Sequence, residues 1–450
     1  TAPRRPDLAN EPVGRLMLRL SIPTITAQLV NMLYNLVDRI YISYIPDVGT
    51  LALTGLGVCL PIILLVSAFA ALCASSGAPL ASIAMGQRKH EKAEGILGSC
   101  TALLLCVSAV LTVVLFCFYT PILLAFGATE DALPYAQRYI AIYSLGTVFV
   151  QLSLGLNPFI TAQGFSKAGM MTVLIGAVLN TLLDPLFIFV FHMDVQGAAL
   201  ATVISQAVSA AFVLRFLTGR QTILHLKRRL LRLNWKLLAP CVALGLAPFI
   251  MQSTESLVSV CFNTSLRAAG GTLAVGTMTI CSTLMQFALQ GLSQGAQPII
   301  SFNYGAKRPE RVNAAFRILL ISCLSFSLVL GLTCIFAPQI FVYLLTPDAA
   351  LREYAIPCVR LYMAGVTIFG AQIACQQTFV ALGNAKCSLF LACLRKLILL
   401  IPLVYLLPLF IPDTVFAIFL AEPIADVLAV LCTVTLFSHV FRKTMRAIAA

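Results

Sequence analysis

Residues 179–206 read LNTLLDPLFIFVFHMDVQGAALATVISQ, and the fold can be worked out from this stretch outward. Two apolar runs are separated by a short break at 192–196. Asp184 lies one helical turn after Asn180 in the first run, and Thr202 lies in the second. A charged side chain at the centre of a membrane helix costs about 2.5–3.5 kcal/mol on insertion scales. We therefore treat Asp184 as a functional candidate that needs a partner.

The composition places the whole chain in a membrane. Of its 450 residues 60% are hydrophobic and only 10% are charged, and the mean hydropathy is +0.95. An α-helix needs about 20 apolar residues to cross about 30 Å of hydrocarbon. The sequence predicts an all-α polytopic membrane protein with twelve transmembrane helices, at 16–44, 51–84, 95–118, 134–163, 168–191, 197–218, 237–263, 272–301, 312–336, 351–382, 387–410 and 413–438.

The positions of Lys and Arg predict the orientation. One set of loops is rich in basic residues, including the linker 219–236, whereas the alternate loops hold only Arg267 and Arg352. By the positive-inside rule we expect both termini and the linker in the cytoplasm. Topology accounts for most of the net charge of +13, so we expect the lipid bilayer, and no nucleic acid, as the partner of the basic loops.

The chain also repeats itself. SSGAPLASIAMGQRK in the first half corresponds to SQGAQPIISFNYGAKR in the second, and Asp38 corresponds to Asn263. Six spans per half give both halves the same orientation, with a pseudo-two-fold axis along the membrane normal. We predict an N-lobe at 1–218, a basic cytoplasmic linker at 219–236 and a C-lobe at 237–450, with a cleft between the lobes.

Four polar side chains of the N-lobe are predicted to meet. A rise of 1.5 Å per residue places Asp38 about 27 Å, Asn180 about 18 Å, Asp184 about 24 Å and Thr202 about 22 Å from the cytoplasmic side. Ala198 shares a helix face with Thr202. Two neighbouring buried carboxylates need a proton or a cation, and this donor set suits Na⁺ or H⁺ better than Ca²⁺. The alternative is a hydrogen-bond network that only joins helices.

A second group of residues suits a cationic, partly aromatic substrate. Asn31 and Asn35 form a polar stripe below Asp38, which lines either water or a helix contact. In the C-lobe, Glu255 serves either as a substrate counter-charge or as a second proton site. Met side chains adapt to varied ligand shapes, although they are also common in cores. The predicted substrate-binding residues are Asn31, Asn35, Met251, Gln252, Glu255, Gln286 and Gln290.

Other charged and reactive residues carry no comparable signal. Arg395 and Lys396 reach the depth of Glu422 and Asp426, which predicts ion pairs between two helices. The fifteen Cys are scattered singly and have no metal-binding spacing. We find no HExxH, GxSxG or GxxxxGK motif, so we expect neither an enzyme nor a bound cofactor. Transport would then be secondary, driven by an ion gradient.

The chain resembles the multidrug and toxic compound extrusion (MATE) transporters, especially the bacterial subgroup with staphylococcal-type multidrug pumps. The resemblance rests on NLVDRIYI, LALTGLGVCLPI, GAALATVISQ and QGLSQGAQPIISFNYGA and runs nearly end to end. It implies twelve helices in two lobes and rocker-switch efflux of cationic drugs coupled to Na⁺ or H⁺. It also implies an N-lobe cation site of Asp38, Asn180, Asp184 and Thr202 with the Ala198 carbonyl.

The chain departs from this family in its second lobe. Relatives with a C-lobe site pair a Glu, which Glu255 resembles, with an Asp on the tenth helix, and here that helix offers only Gln372, Gln376 and Gln377. With the bacterial resemblance we expect a monomeric cation-coupled antiporter of the plasma (inner) membrane that exports amphipathic, cationic drugs and other xenobiotics. The alternatives are a flippase of lipid-linked intermediates and a passive channel.

Overall fold

A computed structural model describes the backbone of residues 7–286 and 290–449. Every regular element in these two ranges is helical, which confirms the predicted fold class. In hydrocarbon a helix satisfies all of its own backbone hydrogen-bonding groups, so apolar runs of this length fold in this way. The helices that cross the bundle are α1 Val13–Ser43, α2 Thr54–Gly86, α3 His90–Ala125, α4 Leu133–Leu145 with Thr147–Ala162, α5 Ser166–Val190, α6 Asp194–Thr218, α7 Trp235–Gly271, α9 Pro309–Phe336, α10 Ala349–Ala381, α11 Ala385–Phe410 and α12 Thr414–Ala449.

The eighth helix, α8, lies on both sides of residues 287–289, which fall outside the described chain. Its last part is Gln290–Gly305, and its first part, 272–286, continues directly from α7. The loop implied by the predicted spans 237–263 and 272–301 is therefore wrong, because the chain stays helical up to Gly271. There the backbone turns sharply, with φ 67° and ψ −152°, a conformation that glycine adopts without strain.

The fourth predicted span is broken rather than continuous. Its two parts meet at Gly146 and are bent by 60°. A Cβ atom at Gly146 would lie 2.5 Å from Cγ2 of Val203, so α6 packs directly against the backbone at the bend. The missing side chain permits this approach, which brings α4 close to the polar residues of α5 and α6.

The first turns of α1 and α7 are each buried among residues from the other half of the chain. Leu16, Met17 and Leu20 of α1 are buried in a cluster formed otherwise by residues 296–445, and Leu8 joins it. Leu238 and Cys241 of α7 are buried in a cluster formed otherwise by residues 70–224. The two halves are therefore interlocked at the end of the bundle that carries the basic loops, which we call the basic end.

The basic end is closed by reciprocal glycine contacts. A Cβ atom at Gly86 of α2 would lie 2.1 Å from the carbonyl oxygen of Phe302, and one at Gly305 of α8 would lie 2.0 Å from that of Ile83. Gly305 and Phe302 each follow their counterparts, Gly86 and Ile83, by 219 residues. The two contacts are therefore related by the internal repeat, and each brings two backbones together.

An arm formed by residues 8–11 crosses the same end. It precedes α1 but is held by the other half of the chain. Arg311 donates to the carbonyl oxygens of Leu8 (3.2 Å) and Glu11 (2.7 Å), and Arg308 donates to that of Ala9 (2.6 Å). Asn303 also donates to Leu8 and accepts from Arg311 Nε, so the arm is bound at several points.

Candidate functional site

The polar residues of α5 are fully buried and bonded to each other. Asn180 Nδ2 donates to Asp184 Oδ2 over 2.8 Å, as expected for side chains four residues apart on one helix face. Asn180 is 2% exposed and Asp184 0%. Pro185 follows directly and has no amide hydrogen, and the helix continues as a π-helical turn at Leu186–Val190. Such turns are frequent at functional sites.

Asp38 of α1 completes this pair. Its carboxyl group interacts with the side chains of both Asp184 and Asn180. One oxygen of each residue (Oδ1 of Asp38, Asn180 and Asp184) is buried without a hydrogen-bond partner. Buried polar atoms are normally satisfied, so three unsatisfied oxygens in one place call for an explanation.

Thr202 and Ala198 lie next to this group rather than within it. The Thr202 hydroxyl donates to the Ala198 carbonyl oxygen over 3.0 Å. The same hydroxyl interacts with the Tyr139 side chain, and the charge of Asp38 acts on Tyr139. Tyr139 therefore lies close to both Thr202 and Asp38. The Ala198 carbonyl oxygen also lies where a regular α-helix directs the backbone N–H of Thr202, so its two lone pairs are both used within α6.

Sequence reasoning did not identify the tyrosines of the site. Tyr34 lies one turn before Asp38 and is close to both carboxyl groups. Tyr139 is 3% exposed and stacks on Tyr143, with 6.1 Å between ring centroids. The spacing of Tyr34 from Asp38 was a usable signal. Nothing comparable marked Tyr139, because its position depends on the bend at Gly146.

No basic side chain of the described residues forms an ion pair with the acidic pair, although the charge of the adjacent, exposed Arg39 acts on Asp38. None of the ion pairs among the described residues includes Asp38 or Asp184. Two carboxylates in a buried site repel each other strongly, and each also loses its hydration. Such a pair accommodates a proton or a cation, and three oxygens without partners are available to contact it.

The predicted substrate-binding residues are spread over both halves. Asn31 and Asn35 are exposed, and Asn35 Nδ2 donates to the Asn31 carbonyl oxygen over 2.8 Å. Met251 and Gln252 are partly buried, and Gln376 Nε2 lies 3.3 Å from the Met251 sulfur. The side chains of two further predicted residues, Gln286 and Gln290, lie outside the described ones.

Glu255 has a basic partner that the sequence did not reveal. Lys396 of α11 donates to a Glu255 carboxylate oxygen and, over 3.1 Å, to the Met251 carbonyl oxygen. We expected Lys396 to join Arg395 in binding the acids of α12. Only Arg395 does so, through 2.6 Å to Glu422 and 2.8 Å to Asp426.

Comparison with known proteins assigns the family. The MatE family model matches residues 23–186 and 246–406, more than half of the chain. The chain belongs to the MatE family. The "Multidrug export protein MepA" of Staphylococcus aureus (strain NCTC 8325 / PS 47) is 23% identical over 430 residues, 93% of each chain. The protein of the same name in Staphylococcus haemolyticus (strain JCSC1435) is 23% identical over 421 residues, 93% of this chain and 92% of that one.

Solved structures agree with the fold of this MatE protein. One, described as "Outward-facing conformation of a multidrug resistance MATE family transporter of the MOP superfamily", has a TM-score of 0.88. It covers 98% of both chains at 21% identity. The likeness therefore extends over nearly the whole chain. As a member of this family the chain is a multi-pass membrane transporter.

Proposed function

We propose that this MatE transporter is a cation-coupled antiporter that exports amphipathic, cationic drugs in exchange for Na⁺ or H⁺. The observation that carries the proposal is the pair of Asp184, which is buried, and Asp38, which is partly buried. Neither forms an ion pair among the described residues, and Oδ1 of each, together with Oδ1 of Asn180, is buried without a hydrogen-bond partner. With only two charges, the oxygen set suits a monovalent ion. The MepA relatives, named as multidrug export proteins, support the direction of transport.

The position of α1 provides a way for the ion to influence the lobes. Asp38 near one end of α1 contacts α5, while Leu16 and Leu20 near the other end are buried in the opposite half. An ion or proton between Asp38 and Asp184 removes the repulsion that separates α1 from α5. Because a ligand shifts a conformational equilibrium only through differential affinity, ion release must favour a different position of α1.

The proposed orientation puts the basic end in the cytoplasm, together with both termini. The glycine contacts then close the cytoplasmic side, and the acidic pair is reached from outside. Exposed Asn31 and Asn35 and the half-exposed Glu255 would line the substrate path between the lobes. In the opposite state, drug would enter from the cytoplasm or the inner leaflet.

Ion-driven transport in proteoliposomes tests this proposal. A fluorescent organic cation is followed under an imposed Na⁺ gradient, an imposed pH gradient, or neither. We expect wild-type protein to move the dye against its gradient, and Asp38→Asn and Asp184→Asn to abolish this movement. Asp194→Asn is the matched control, because it makes the same change at the α5–α6 junction and Asn tolerates the positive φ of 51° there.

Two results would refute the proposal. One is undiminished gradient-driven transport in either site variant. The other is dye movement in the wild type that ignores both gradients, as a passive channel or an uncoupled lipid flippase would produce. Insertion and folding of each variant are checked by size-exclusion chromatography before transport is compared.

A further inference from the structure

The C-lobe contains a connected group of five charged side chains. Arg395 binds Glu422 and Asp426, and the adjacent Lys396 binds Glu255. The charges of Glu255 and Lys396 also act on Glu422, so the two ion-paired sets are electrostatically linked. The two basic residues lie on a π-helical segment, Leu394–Leu400, which lets neighbouring side chains reach α7 and α12.

The charges of this group do not balance. Two positive and three negative groups leave a net charge of −1 when all are ionised. Glu422 is 3% exposed and Asp426 0%, so two of the three acids are removed from solvent. Oε2 of Glu422 and Oδ2 of Asp426 are both buried without a hydrogen-bond partner. An uncompensated buried charge of this kind is strongly unfavourable.

The two ends of the group differ in access. The side chain of Glu255 is 46% exposed, whereas those of Lys396 and Arg395 are 10% and 12% exposed. Asp426 Oδ2 faces the backbone of Gly365, because a Cβ atom there would lie 2.9 Å from it. Glu422 Oε2 is therefore the better position for a proton, and Glu255 is the position that a solute reaches.

We propose that this group is a second exchange site, which takes up one positive charge either as a proton on Glu422 or as a monocationic substrate beside Glu255. The proposal rests on the proposed export of cations and adds a competition between substrate and proton in the C-lobe. With the proton bound to Glu422, the group is neutral and Lys396 forms its ion pair with Glu255. When a cation binds Glu255, the Lys396 ammonium turns toward Glu422, and the Glu422 proton leaves to water. The total charge is the same in both states.

The other titratable groups near Glu422 do not change the net charge of this group. Tyr362 and Cys281 are uncharged at neutral pH. The charged and titratable groups that face Glu422 are Arg395 and Lys396 of α11, Asp426 of α12, Tyr362 of α10, Cys281 of α8 and Glu255 of α7.

Proton release on binding tests the exchange directly. Tetraphenylphosphonium, a permanent monocation, is added to the purified full chain in lightly buffered solution. Bound cation is measured by equilibrium dialysis and released protons by a pH indicator. In the Asp38→Asn, Asp184→Asn double variant, which lacks the N-lobe acids, we expect about one proton released per cation bound. Adding Glu422→Gln should remove this release, whereas adding Glu310→Gln, at an exposed position, should preserve it.

The outcomes separate this proposal from the proposed function. Binding without proton release by wild-type protein overturns the exchange site alone, and so does release that survives Glu422→Gln. Absence of release from wild-type protein counts against the exchange site even if a variant fails to fold. A protein that binds no organic cation at all overturns the proposed substrate class, and the exchange site with it.

Discussion

Replacing Gly305 by Ala should weaken the closed basic end. The added Cβ atom would lie 2.0 Å from the Ile83 carbonyl oxygen, and ordinary contact begins at 3.4 Å, so α8 and α2 must separate by about 1.4 Å. Both partners are backbone atoms and have no rotamer to change. Overpacking of this kind costs typically about 1–3 kcal/mol. If the contact is absent from the opposite conformational state, the ratio of that state to the closed one rises by about 5- to 150-fold.

Hydrogen exchange detected by mass spectrometry gives the most direct measurement. We expect faster amide exchange in peptides that cover 77–90 and 296–308 in Gly305→Ala and in its repeat-related counterpart Gly86→Ala. The thermal unfolding midpoint in detergent should fall as well.

Gly57→Ala is the matched control for these two variants. Gly57 lies on α2, and a Cβ atom there meets nothing within 4 Å. The Gly57→Ala variant should leave amide exchange at the basic end unchanged. Its unfolding midpoint should stay level or rise, since Ala is more favourable than Gly inside a helix by about 1 kcal/mol. Wild-type exchange rates and an unchanged midpoint in Gly305→Ala would show that α2 and α8 accept the added Cβ atom without loss of stability. The predicted role of this contact would then be wrong.

Three further substitutions test other contacts. Arg311→Ala removes the donor to the carbonyl oxygens of Leu8 and Glu11, so residues 8–11 should become sensitive to limited proteolysis. Arg395→Met leaves Glu422 and Asp426 buried without a counter-charge and should lower the free energy of unfolding by about 3–5 kcal/mol. Gly146→Ala places a Cβ atom 2.5 Å from Val203 and should lower the unfolding midpoint, and Val203→Ala should restore it.

Each of these predictions has an internal check. Arg317→Ala, at an exposed position of α9, should leave proteolysis of the arm unchanged. Arg395→Met should be far more harmful than Lys227→Met, since Lys227 pairs with Glu94 while its own side chain is 43% exposed. A Gly146→Ala variant that Val203→Ala does not rescue would mean that the bend depends on backbone flexibility rather than on this contact.

Depth and spacing were enough to bring Asp38, Asn180 and Asp184 together from the sequence. Isolated polar residues are rare in apolar helices, and a rise of 1.5 Å per residue gives their relative heights. The same arithmetic assumes a regular helix. It failed for Lys396, because the π-helical segment at Leu394–Leu400 changes the direction of each side chain within it. Glu255 was therefore interpreted without its partner.

Contacts between distant helices were the other limit. The broken span at Gly146 follows from the fit of Val203, which lies 57 residues later and leaves no local signal in the sequence. Tyr139 depends on the same bend. The internal repeat aligns the segments around Gly86 and Gly305, so the sequence showed that these segments correspond. The alignment alone did not show that they contact each other.

The interlocked starts of α1 and α7 make the two lobes dependent on each other for folding. A chain cut within 219–236 would give one fragment that presents Leu16, Met17 and Leu20 to lipid and another whose core lacks them. The second fragment would likewise carry Leu238 and Cys241 away from the residues they pack against. Two such fragments made in the same cell should therefore complement each other, and neither should accumulate alone.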